Sequence, residues 1–582
     1  MTEYLISLAI GPVQGFIAAA RRTRDLWFGS EVLSEVSKAA AKVLLQNRAE
    51  LIFPAPGSPT DLEPNSALNV GNKLMAAIDT VDPGQIIELA KEGARSRWRE
   101  IATAARNKLD PTEVQGDLWN QQVEDVLELY GAWKPLQADG NDYSAVRDRL
   151  ERLLGARKTT RDFGPAATAF NSAPGFGKPK SSLDAARETV LTRTLTTRTR
   201  RKLGLSKGEQ LDCPGLVKRI GGDPEQFPPV TRIALEPWLE KLPDHRLLEV
   251  KAAFQCLVGF KLATRVAPQR YHRLPYDGGF LFPARIEAKI KELGENETEA
   301  KASLTALKTI RDRLHEDYKP TPYFAVLVAD GDNMGAFIDL RDSKRDHLAI
   351  TGALAEFAGQ ARAIVENRQG ACVYAGGDDV LALLPIHQAV ACAQDLSGAF
   401  NTVVAPLAVS NQSVPTLSVG LGIGHVLTPF SRLLDLGRRA ERLAKEGPEG
   451  TLRSQKRNAL ALIAGVRSGA EISVRGRWDS DMDQRLIQWM VYYRENSLSD
   501  KTPYDLRQAV GRIAWAKSRP DYRTIAEQEA GRVLARKRSQ AGAHDLPTEV
   551  RNKIKTAICH RGIEQIISEL LLARWLSEKV KE

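Results

Sequence analysis

Two adjacent aspartates, Asp378 and Asp379, follow Gly376 and Gly377 and stand between two apolar runs of the chain. This pattern predicts a β-hairpin that carries both acids at its tip. The glycines allow a tight turn and would let a polyphosphate approach the backbone. Two neighbouring carboxylates are hard to ionise together unless a cation lies beside them, and Mg²⁺ commonly binds carboxylates together with substrate phosphates. Taken alone, the motif is equally compatible with a surface turn that has no chemistry.

A third carboxylate, Asp330, comes directly after the apolar run Tyr323–Ala329 and directly before Gly331. A continuous apolar run is typical of a central strand buried on both faces. A carboxylate at the end of such a strand is well placed to meet a hairpin tip on the neighbouring strand. The three acids together therefore favour a metal site over three separate solvated loops.

The segments between and beyond these acids predict how they are positioned. Residues 349–365 have helical apolar spacing, residues 387–400 form a second helical segment, and residues 415–424 form another strand. The order β-α-β-β-α-β is that of the ferredoxin-like split unit, which would bring the three carboxylates to one rim of its sheet. These elements resemble the palm domain of nucleotidyl cyclases and palm-type polymerases. In that chemistry two metal ions activate a ribose 3′-hydroxyl and stabilise the pyrophosphate that leaves.

The start of the chain repeats the strand-glycine-helix pattern of the second palm. Ile10 and Pro12 occupy the places of Asp330 and Asp332 in this first copy. The pattern predicts an internal repeat in which the first palm has lost its metal ligands. Such a palm would bind ATP through backbone and polar contacts without chemistry of its own.

A longer string, Gly11–Ser30, is more specific. It closely resembles the first palm of the large subunit of type III CRISPR effector complexes, in the Cmr (III-B) branch. The resemblance covers nearly the whole chain, less clearly beyond about Arg477. The other segments that match this family are Pro64-Asn65, residues 118–122, 215–219, 276–279 and 330–335, the Gly-Gly-Asp-Asp tip, and residues 457–461.

The resemblance implies a function in antiviral defence. The chain would bind ATP between its two palms and join AMP units 3′ to 5′ into cyclic oligoadenylate second messengers. Target RNA paired to the guide CRISPR RNA would activate it, and other Cmr-type backbone and small subunits would be partners. Two Mg²⁺ or Mn²⁺ ions would be held by Asp330, Asp378, Asp379 and the carbonyl of Gly331. The implied nucleotide contacts are Gly376, Gly377, Gly331, Asp332, Asn333, Gln14, Ser30 and Lys445.

Two departures from the family pattern bear on cofactors and activity. Relatives often begin with an HD nuclease domain, whereas here the first palm starts at Met1, so we expect no cleavage of DNA. The His544-Asp545 pair lies between Gly542 and Pro547 and is interpreted as a loop. Relatives often carry cysteine pairs for zinc, but the five cysteines here include no Cys-x-x-Cys motif, so we expect no structural zinc.

Composition agrees with a folded protein that has a polyanionic partner. The chain has 582 residues, 43% of them apolar, which indicates about three to five domains. The net charge of +10 favours a partner such as RNA. Basic clusters occur at residues 21–24, 193–202 and 536–538, and each is either a solvated helix face or a contact to phosphates. The absence of an apolar span and the few cysteines favour a cytoplasmic protein without membrane association.

The sequence therefore predicts an α+β fold with two ferredoxin-like palm domains and two mainly helical domains. The expected divisions are a first palm with a helical insertion (1–185), a mainly helical domain (186–315), a second palm with the Gly-Gly-Asp-Asp motif (316–476) and a C-terminal helical domain (477–582). Three other functions stay open at this point. They are a stand-alone dinucleotide cyclase, a family member that joins AMP to another small molecule, and a mainly structural scaffold of the complex.

Overall fold

A computed structural model shows how these elements assemble. It describes residues 2–577, except for residues 137–142, 161–176, 207, 224, 268, 318, 409–412, 466–470 and 540–544. His544 and most of the glycine- and proline-rich stretch before Lys180 lie outside the described residues. Within the described ranges, none of the helices combines the length and the apolar character that a membrane-spanning helix needs.

The first palm is built around a four-stranded antiparallel sheet in the order β2-β3-β1-β4. Helices α2 and α3 cover one face of the sheet, and α5 covers the other. The elements are β1 (Thr2–Gly11), α1 (Gln14–Ala18), α2 (Thr23–Gln46), β2 (Glu50–Phe53), β3 (Lys73–Thr80), α3 (Pro83–Arg106), α4 (Gly116–Glu124), β4 (Glu128–Pro135) and α5 (Tyr143–Thr159).

The helical insertion predicted near residues 87–154 is interrupted by a strand. Strand β4 pairs with β1 and completes the ferredoxin-like order of the first sheet. Its aromatic residues Tyr130 and Trp133 favour a strand, but β4 lies at the edge of the sheet and lacks a continuous apolar run. The sequence pattern therefore gave too little signal to separate it from the helices on either side.

The region after the first palm is helical. Helix α7 packs against the core of the first palm, and α10 and α12 pack around Trp238 in a separate core that also contacts the second palm. Arg219 of α7 is fully buried and forms an ion pair of 2.7 Å with Asp25 of α2. The helices are α6 (Thr197–Leu203), α7 (Cys213–Ile220), α8 (Val230–Ala234), α9 (Glu236–Leu239), α10 (Asp244–Gly259), α11 (Arg285–Glu292) and α12 (Thr298–Asp317).

The second palm contains a six-stranded sheet in the order β10-β9-β8-β5-β7-β6. Its β8-β5-β7-β6 part is antiparallel and confirms the predicted β-α-β-β-α-β unit. Helix α16 connects β8 to its parallel neighbour β9. The elements are β5 (Tyr323–Gly331), α13 (Met334–Asp339), α14 (Lys344–Asn367), β6 (Ala371–Gly376), β7 (Asp379–Pro385), α15 (Ala389–Val404), β8 (Leu417–His425), α16 (Phe430–Glu446), β9 (Ala459–Ala464) and β10 (Ile472–Arg477).

Strand β5 is buried on both faces, as its apolar run predicts. Ala325 and Leu327 face the core formed by α14 and α15, while Phe324 and Val326 face the core shared with the helical region. This alternation follows from the two-residue period of a strand. The centre of the sheet is therefore rigid, and its rim is where polar side chains can be held in place.

The C-terminal part is a helical bundle that packs on the second palm. Its last helix is apolar on nearly every side and lies at the centre of the bundle, where it joins the core of the second palm. The helices are α17 (Met482–Arg494), α18 (Thr502–Arg512), α19 (Tyr522–Ala535), α20 (Thr548–Arg561) and α21 (Ile563–Leu576).

Candidate active site between the two palms

The Gly-Gly-Asp-Asp segment forms the predicted hairpin tip. Gly376 pairs with Asp379 across β6 and β7, so that Gly377 and Asp378 are the two central residues of the turn. Gly377 has a φ of 78°, which is the conformation that a type II′ turn requires of its first central residue. Any residue with a Cβ would be strained there, and the glycine is needed for the turn itself.

The hairpin tip and the end of β5 meet at one rim of the second sheet. Ala329 pairs with Val380, which puts Asp330 opposite the first residue of β7. A Cβ placed on Gly331 would lie 2.8 Å from the Cβ of Asp378, so the strand end and the tip are in contact. The structure thus brings together the three carboxylates that the sequence singled out.

Several carboxylates lie close together at this rim. Burial raises the pKa of Asp378 to about 6, and the charge of Asp379 adds to this shift. Burial also raises the pKa of Asp379. Glu441 of α16 belongs to the same cluster, because burial, followed by the charge of Asp379, raises its pKa to about 7. Sequence analysis missed Glu441, and only its position four residues before Lys445 on one helix face could have indicated it.

Lys445 supplies the positive charge of this cluster. Its ammonium group forms an ion pair with Asp330 and lies 3.5 Å from Glu441. Burial lowers the pKa of Lys445 to about 8, and the charge of Arg457 acts in the same direction. The sequence predicted Lys445 as a nucleotide contact, whereas in this structure it neutralises a candidate metal ligand.

The donor set fits a divalent cation, although the described residues contain no group of three or more His, Cys, Asp or Glu side chains already arranged around one point. Hard oxygen donors with raised pKa values are what Mg²⁺ or Mn²⁺ would stabilise in the ionised form. Asp378 and Asp379 are adjacent on the tip, and Asp330 would join them once Lys445 moves away. The carboxylates are near one another, and they are the residues that would hold a divalent cation.

Asp332 has a structural role in this structure. Its side chain accepts hydrogen bonds from the hydroxyls of Thr416 and Ser418 at 2.8 and 2.9 Å and from the backbone amide of Asn458 at 2.9 Å. The residue is 1% exposed. The predicted nucleotide contact therefore does not agree with its surroundings, because both carboxylate oxygens tie β5 to β8 and to the segment before β9. Asn333, by contrast, is exposed and has a φ of 61° at the start of α13.

A cavity of about 590 Å³ separates the two palms beside this rim. Gln14 and Ser30 line it from the first palm, and Asp379 lines it from the second palm. These are three of the predicted site residues. The other predicted nucleotide and metal contacts lie at the rim next to the cavity or, as for Asp332, inside the second palm.

Several residues that line this cavity were not found from the sequence. Tyr374 projects from β6, and burial together with the charges of Asp379 and Asp378 raises the pKa of its phenol. A Cβ on Gly376 would overlap the Tyr374 hydroxyl, so this glycine makes room for the tyrosine. An aromatic residue in an apolar strand looks like an ordinary core residue, so Tyr374 could not be recognised from the sequence as part of the cavity wall. The other polar residues missed are Ser34, Asn72, Glu128, Lys158 and Arg438.

A buried polar network fastens the two palms to each other. Arg147 of α5 forms an ion pair of 2.6 Å with Asp339 of α13. The Tyr143 hydroxyl donates to Nδ1 of His347 at 2.8 Å, and Nε2 of the same ring donates to the carbonyl of Ile338 at 2.9 Å. These bonds connect α5 of the first palm with α13 and α14 of the second, and they set the spacing across the cavity.

Most strands of both sheets lie wholly or partly within segments that match known family models. Residues 5–103 match the N-terminal part of the CRISPR-associated protein Cmr2, and residues 323–461 match the second palm domain of Cas10/Cmr2. Both models describe parts of Cas10/Cmr2, so the two palms of the chain are of the Cas10/Cmr2 type. The family resemblance stated from the sequence is confirmed, and the Cas10/Cmr2 second palm contains the carboxylate rim described above.

Individual relatives agree with this assignment. The Cmr subunit Cmr2 of Pyrococcus furiosus is 32% identical over 165 residues, which are 23% of this chain and 18% of that protein. The match thus spans less than a fifth of the length of the curated relative.

Two solved structures share the fold of the Cas10/Cmr2 chain. They are a type III-B Cmr-beta complex in the apo state, with a TM-score of 0.63 and 13% identity, and the same complex bound to cognate target RNA, with a TM-score of 0.65 and 12% identity. The likeness covers 100% and 99% of this chain and 82% and 83% of those chains. The predicted α+β fold with palm domains is confirmed.

Proposed function

We propose that this Cas10/Cmr2 chain is a nucleotidyltransferase that converts ATP into cyclic oligoadenylate. The observation that carries the proposal is the cavity between the palms, with polar side chains of the first palm on one side and the crowded carboxylates of the second on the other. A cavity shared by two similar domains suits a reaction between two similar substrates.

The first palm would hold one ATP without metal. Ile10 stands where the second palm has Asp330, and its side chain is 1% exposed. Gln14 and Ser30 line the cavity and supply polar atoms for a base or a ribose. This palm therefore positions a nucleotide, and the second palm stabilises the charge on the phosphates.

The second palm would hold the divalent cations and the other ATP. Asp378 and Asp379 would bind the ions directly, and Asp330 would join them after Lys445 has released its ion pair. Bound cations would lower the pKa of the attacking hydroxyl and offset charge on the phosphates. Lys445, once free, remains close enough to contact a phosphate, which agrees with its predicted role.

The proposed step joins the two nucleotides in line. A bond forms between the ribose 3′-oxygen of one ATP and the α-phosphorus of the other, and the bond from that phosphorus to the bridging oxygen breaks. Pyrophosphate leaves with the bridging oxygen, and the hydroxyl loses its proton. The network around His347 keeps the palms at a fixed spacing, so that the hydroxyl and the phosphorus can be held within reach.

The partners follow from the family and from charge. We propose that the chain acts within a Cmr-type complex and is activated when guide CRISPR RNA pairs with target RNA. The similar solved structures include a Cmr-beta complex bound to cognate target RNA. The net charge of +10 agrees with a position close to RNA.

Mass analysis of the products tests this function directly. The complex that contains the chain is incubated with ATP, target RNA and Mg²⁺ or Mn²⁺, and the products are separated and weighed. We expect cyclic species whose masses are multiples of an AMP unit, formed only when target RNA is present. Linear dinucleotides made without RNA, AMP conjugates of another molecule, or the absence of any product would each contradict the proposal.

A further inference from the structure

A second cavity, of about 450 Å³, lies where the first palm, the helical region and the second palm meet. It is separate in its lining from the cavity between the palms and has a different charge. Four guanidinium groups line it, those of Arg21, Arg22, Arg24 and Arg285, and they face the single carboxylate of Asp277. The cavity between the palms is balanced, since two basic side chains there face two acidic ones.

Most arginines of this cavity have no hydrogen-bonded or ion-paired side-chain partner among the described residues. Arg22 donates to the carbonyl of Gly204. No side-chain hydrogen bond or salt bridge joins Arg21, Arg24 or Arg285 to any other residue that the structure describes. Burial lowers the pKa of Arg24 to about 10, and the nearby charge of Arg22 acts in the same direction. The charge of Asp25 opposes these shifts, but Asp25 is already paired with Arg219, so the arginines of this cavity outnumber the carboxylates that can balance them.

Asp277 offsets only part of this charge, although it lies close enough to Arg22 and Arg285 to interact with both. Its two carboxylate oxygens accept hydrogen bonds from the backbone amides of Thr264 at 2.9 Å and Gly279 at 3.2 Å. These bonds fix the loop that carries Asp277 and Gly279, and they keep the carboxylate at the wall of the cavity. Helices α2 and α16 both begin at this cavity, at Thr23 and Phe430, and their positive ends add to the field.

The rest of the wall is apolar and partly aromatic. Phe227, Phe280 and Phe430 line the cavity, and Trp27 stacks on Phe227 with ring centroids 5.7 Å apart. A cavity with a positive cluster at one side and aromatic rings at another matches a ligand that has both a phosphate and a flat apolar group. Arginine is the side chain that best combines phosphate binding with stacking on rings.

We propose that this cavity, lined by Arg21, Arg24 and Arg285, binds a nucleotide through its phosphates, at a site separate from the one between the palms. The nucleotide is either free or a unit of a single-stranded RNA, since both offer a phosphate and a base. The site shares α2 and α16 with the cavity between the palms, because Ser30 and Arg438 on these helices line that other cavity.

Equilibrium binding of ADP to the full chain in the presence of a chelator tests this site. The chelator removes the cations on which binding at the carboxylate rim would depend, and the variant Gln14→Ala/Ser30→Ala described below separates out metal-free binding at the first palm. We expect ADP and inorganic phosphate to bind and adenosine to fail, because the arginines recognise the phosphate. The double variant Arg21→Ala/Arg285→Ala should lose affinity for ADP by about tenfold or more.

Two further variants locate the binding. Arg149→Ala/Arg152→Ala removes two exposed arginines of α5 that have no hydrogen-bonded partner among the described residues, and it should bind ADP like the parent. Gln14→Ala/Ser30→Ala removes the polar contacts proposed for metal-free binding at the first palm, and the chelator-resistant binding that remains in this variant should depend on Arg21 and Arg285. An unchanged melting temperature of Arg21→Ala/Arg285→Ala shows that its fold is intact. If that variant does not fold, Arg24→Gln replaces it in the same comparison.

The outcomes separate the alternatives. Parental affinity and stoichiometry in the arginine variant, loss of all chelator-resistant binding in Gln14→Ala/Ser30→Ala, or no binding of ADP at all would each overturn the proposal. If a short single-stranded RNA displaces ADP with the same sensitivity to the arginine variant, the phosphates belong to RNA. If it does not displace ADP, the ligand is a free nucleotide. These results do not depend on whether cyclic products form.

Discussion

At the scale of single residues, the carboxylates at the rim of the second palm are difficult to ionise together. A bound cation would stabilise their ionised forms. Asp378 and Glu441 have pKa values raised to about 6 and about 7 because burial and neighbouring negative charge disfavour their ionised forms. Lys445 offsets part of this charge by pairing with Asp330. The same residues that repel one another in the free protein are the ones that would bind metal in the reaction.

We expect Asp378→Ala/Asp379→Ala to abolish product formation while the fold is kept. Removing metal ligands at the reacting phosphates should reduce the rate by at least about 100-fold. The melting temperature without metal should stay the same or rise, because charge repulsion at the tip is removed. Product yield with purified ATP and the melting temperature check both statements. The control Asp435→Ala/Glu449→Ala removes two exposed acids nearby and should keep full activity.

Asp332→Ala is expected to reduce stability, unlike Asp378→Ala/Asp379→Ala. Its replacement by alanine leaves the donors of Thr416, Ser418 and Asn458 without their acceptor inside the protein. We expect the free energy of unfolding to fall by about 3 kcal/mol. Chemical denaturation of Asp332→Ala measures the loss. A variant as stable as the parent but unable to bind ATP would show that the residue contacts the nucleotide after all.

At the scale of elements, glycines in β8 decide where α16 lies. Gly420 and Gly422 face the backbone of the helix, and a Cβ on Gly420 would overlap the amide nitrogen of Glu441. The close approach of helix and strand places Glu441 and Lys445 at the carboxylate rim. A helix held farther from the sheet would carry both side chains away from Asp330.

Gly420→Ala should therefore damage both stability and activity. Overpacking at such a contact costs about 2 kcal/mol, and the displaced helix should change the surroundings of Lys445. The melting temperature and the rate of product formation would both fall. Gly398→Ala in α15 is the matched control, because a Cβ there meets nothing within 4 Å, and it should keep the activity while the melting temperature stays the same or rises slightly. Equal effects of the two variants would contradict this account of β8.

How much could be predicted from the sequence differs from element to element. The strands β5 to β8 and the three carboxylates followed from apolar periodicity and from the glycines at the turn. Strand β4 did not, since it is an edge strand among helices, and neither did Glu441 and Tyr374. Their roles depend on where α16 and the first palm pack, which is a tertiary property. Asp332 had the sequence signal of a ligand, but its hydrogen bonds make it structural.

At the scale of the whole molecule, the two palms of the chain face each other across a cavity. The network of Tyr143, Arg147 and His347 is one of the contacts that fix their spacing. Lys344 of the second palm adds an ion pair of 2.6 Å with Glu50 of the first. A hydrogen bond from Asn69 to the carbonyl of Ala375 reaches β6 close to the Gly-Gly-Asp-Asp hairpin. The two walls of the cavity are therefore connected by several direct contacts between the palms.

Arg147→Ala should loosen this arrangement. We expect the free energy of unfolding to fall by about 2 kcal/mol, because the hydrogen bonds of a buried guanidinium to Asp339 and to the carbonyl of Ile338 are lost. Product formation should fall further than ADP binding by the arginine-lined cavity, because only the former needs the palms at a fixed distance. Arg149→Ala, on the exposed side of the same helix, is the control. Full activity of Arg147→Ala would show that the network does not set the spacing.

A structure of the complex with a non-hydrolysable ATP analogue, target RNA and Mg²⁺ tests the central claim most directly. The account predicts two nucleotides in the cavity between the palms. One should contact Gln14 and Ser30, and the triphosphate of the other should lie at Asp378 and Asp379 with its metal ions. A single nucleotide at the second palm, with the first palm's side of the cavity filled by side chains, would contradict the account.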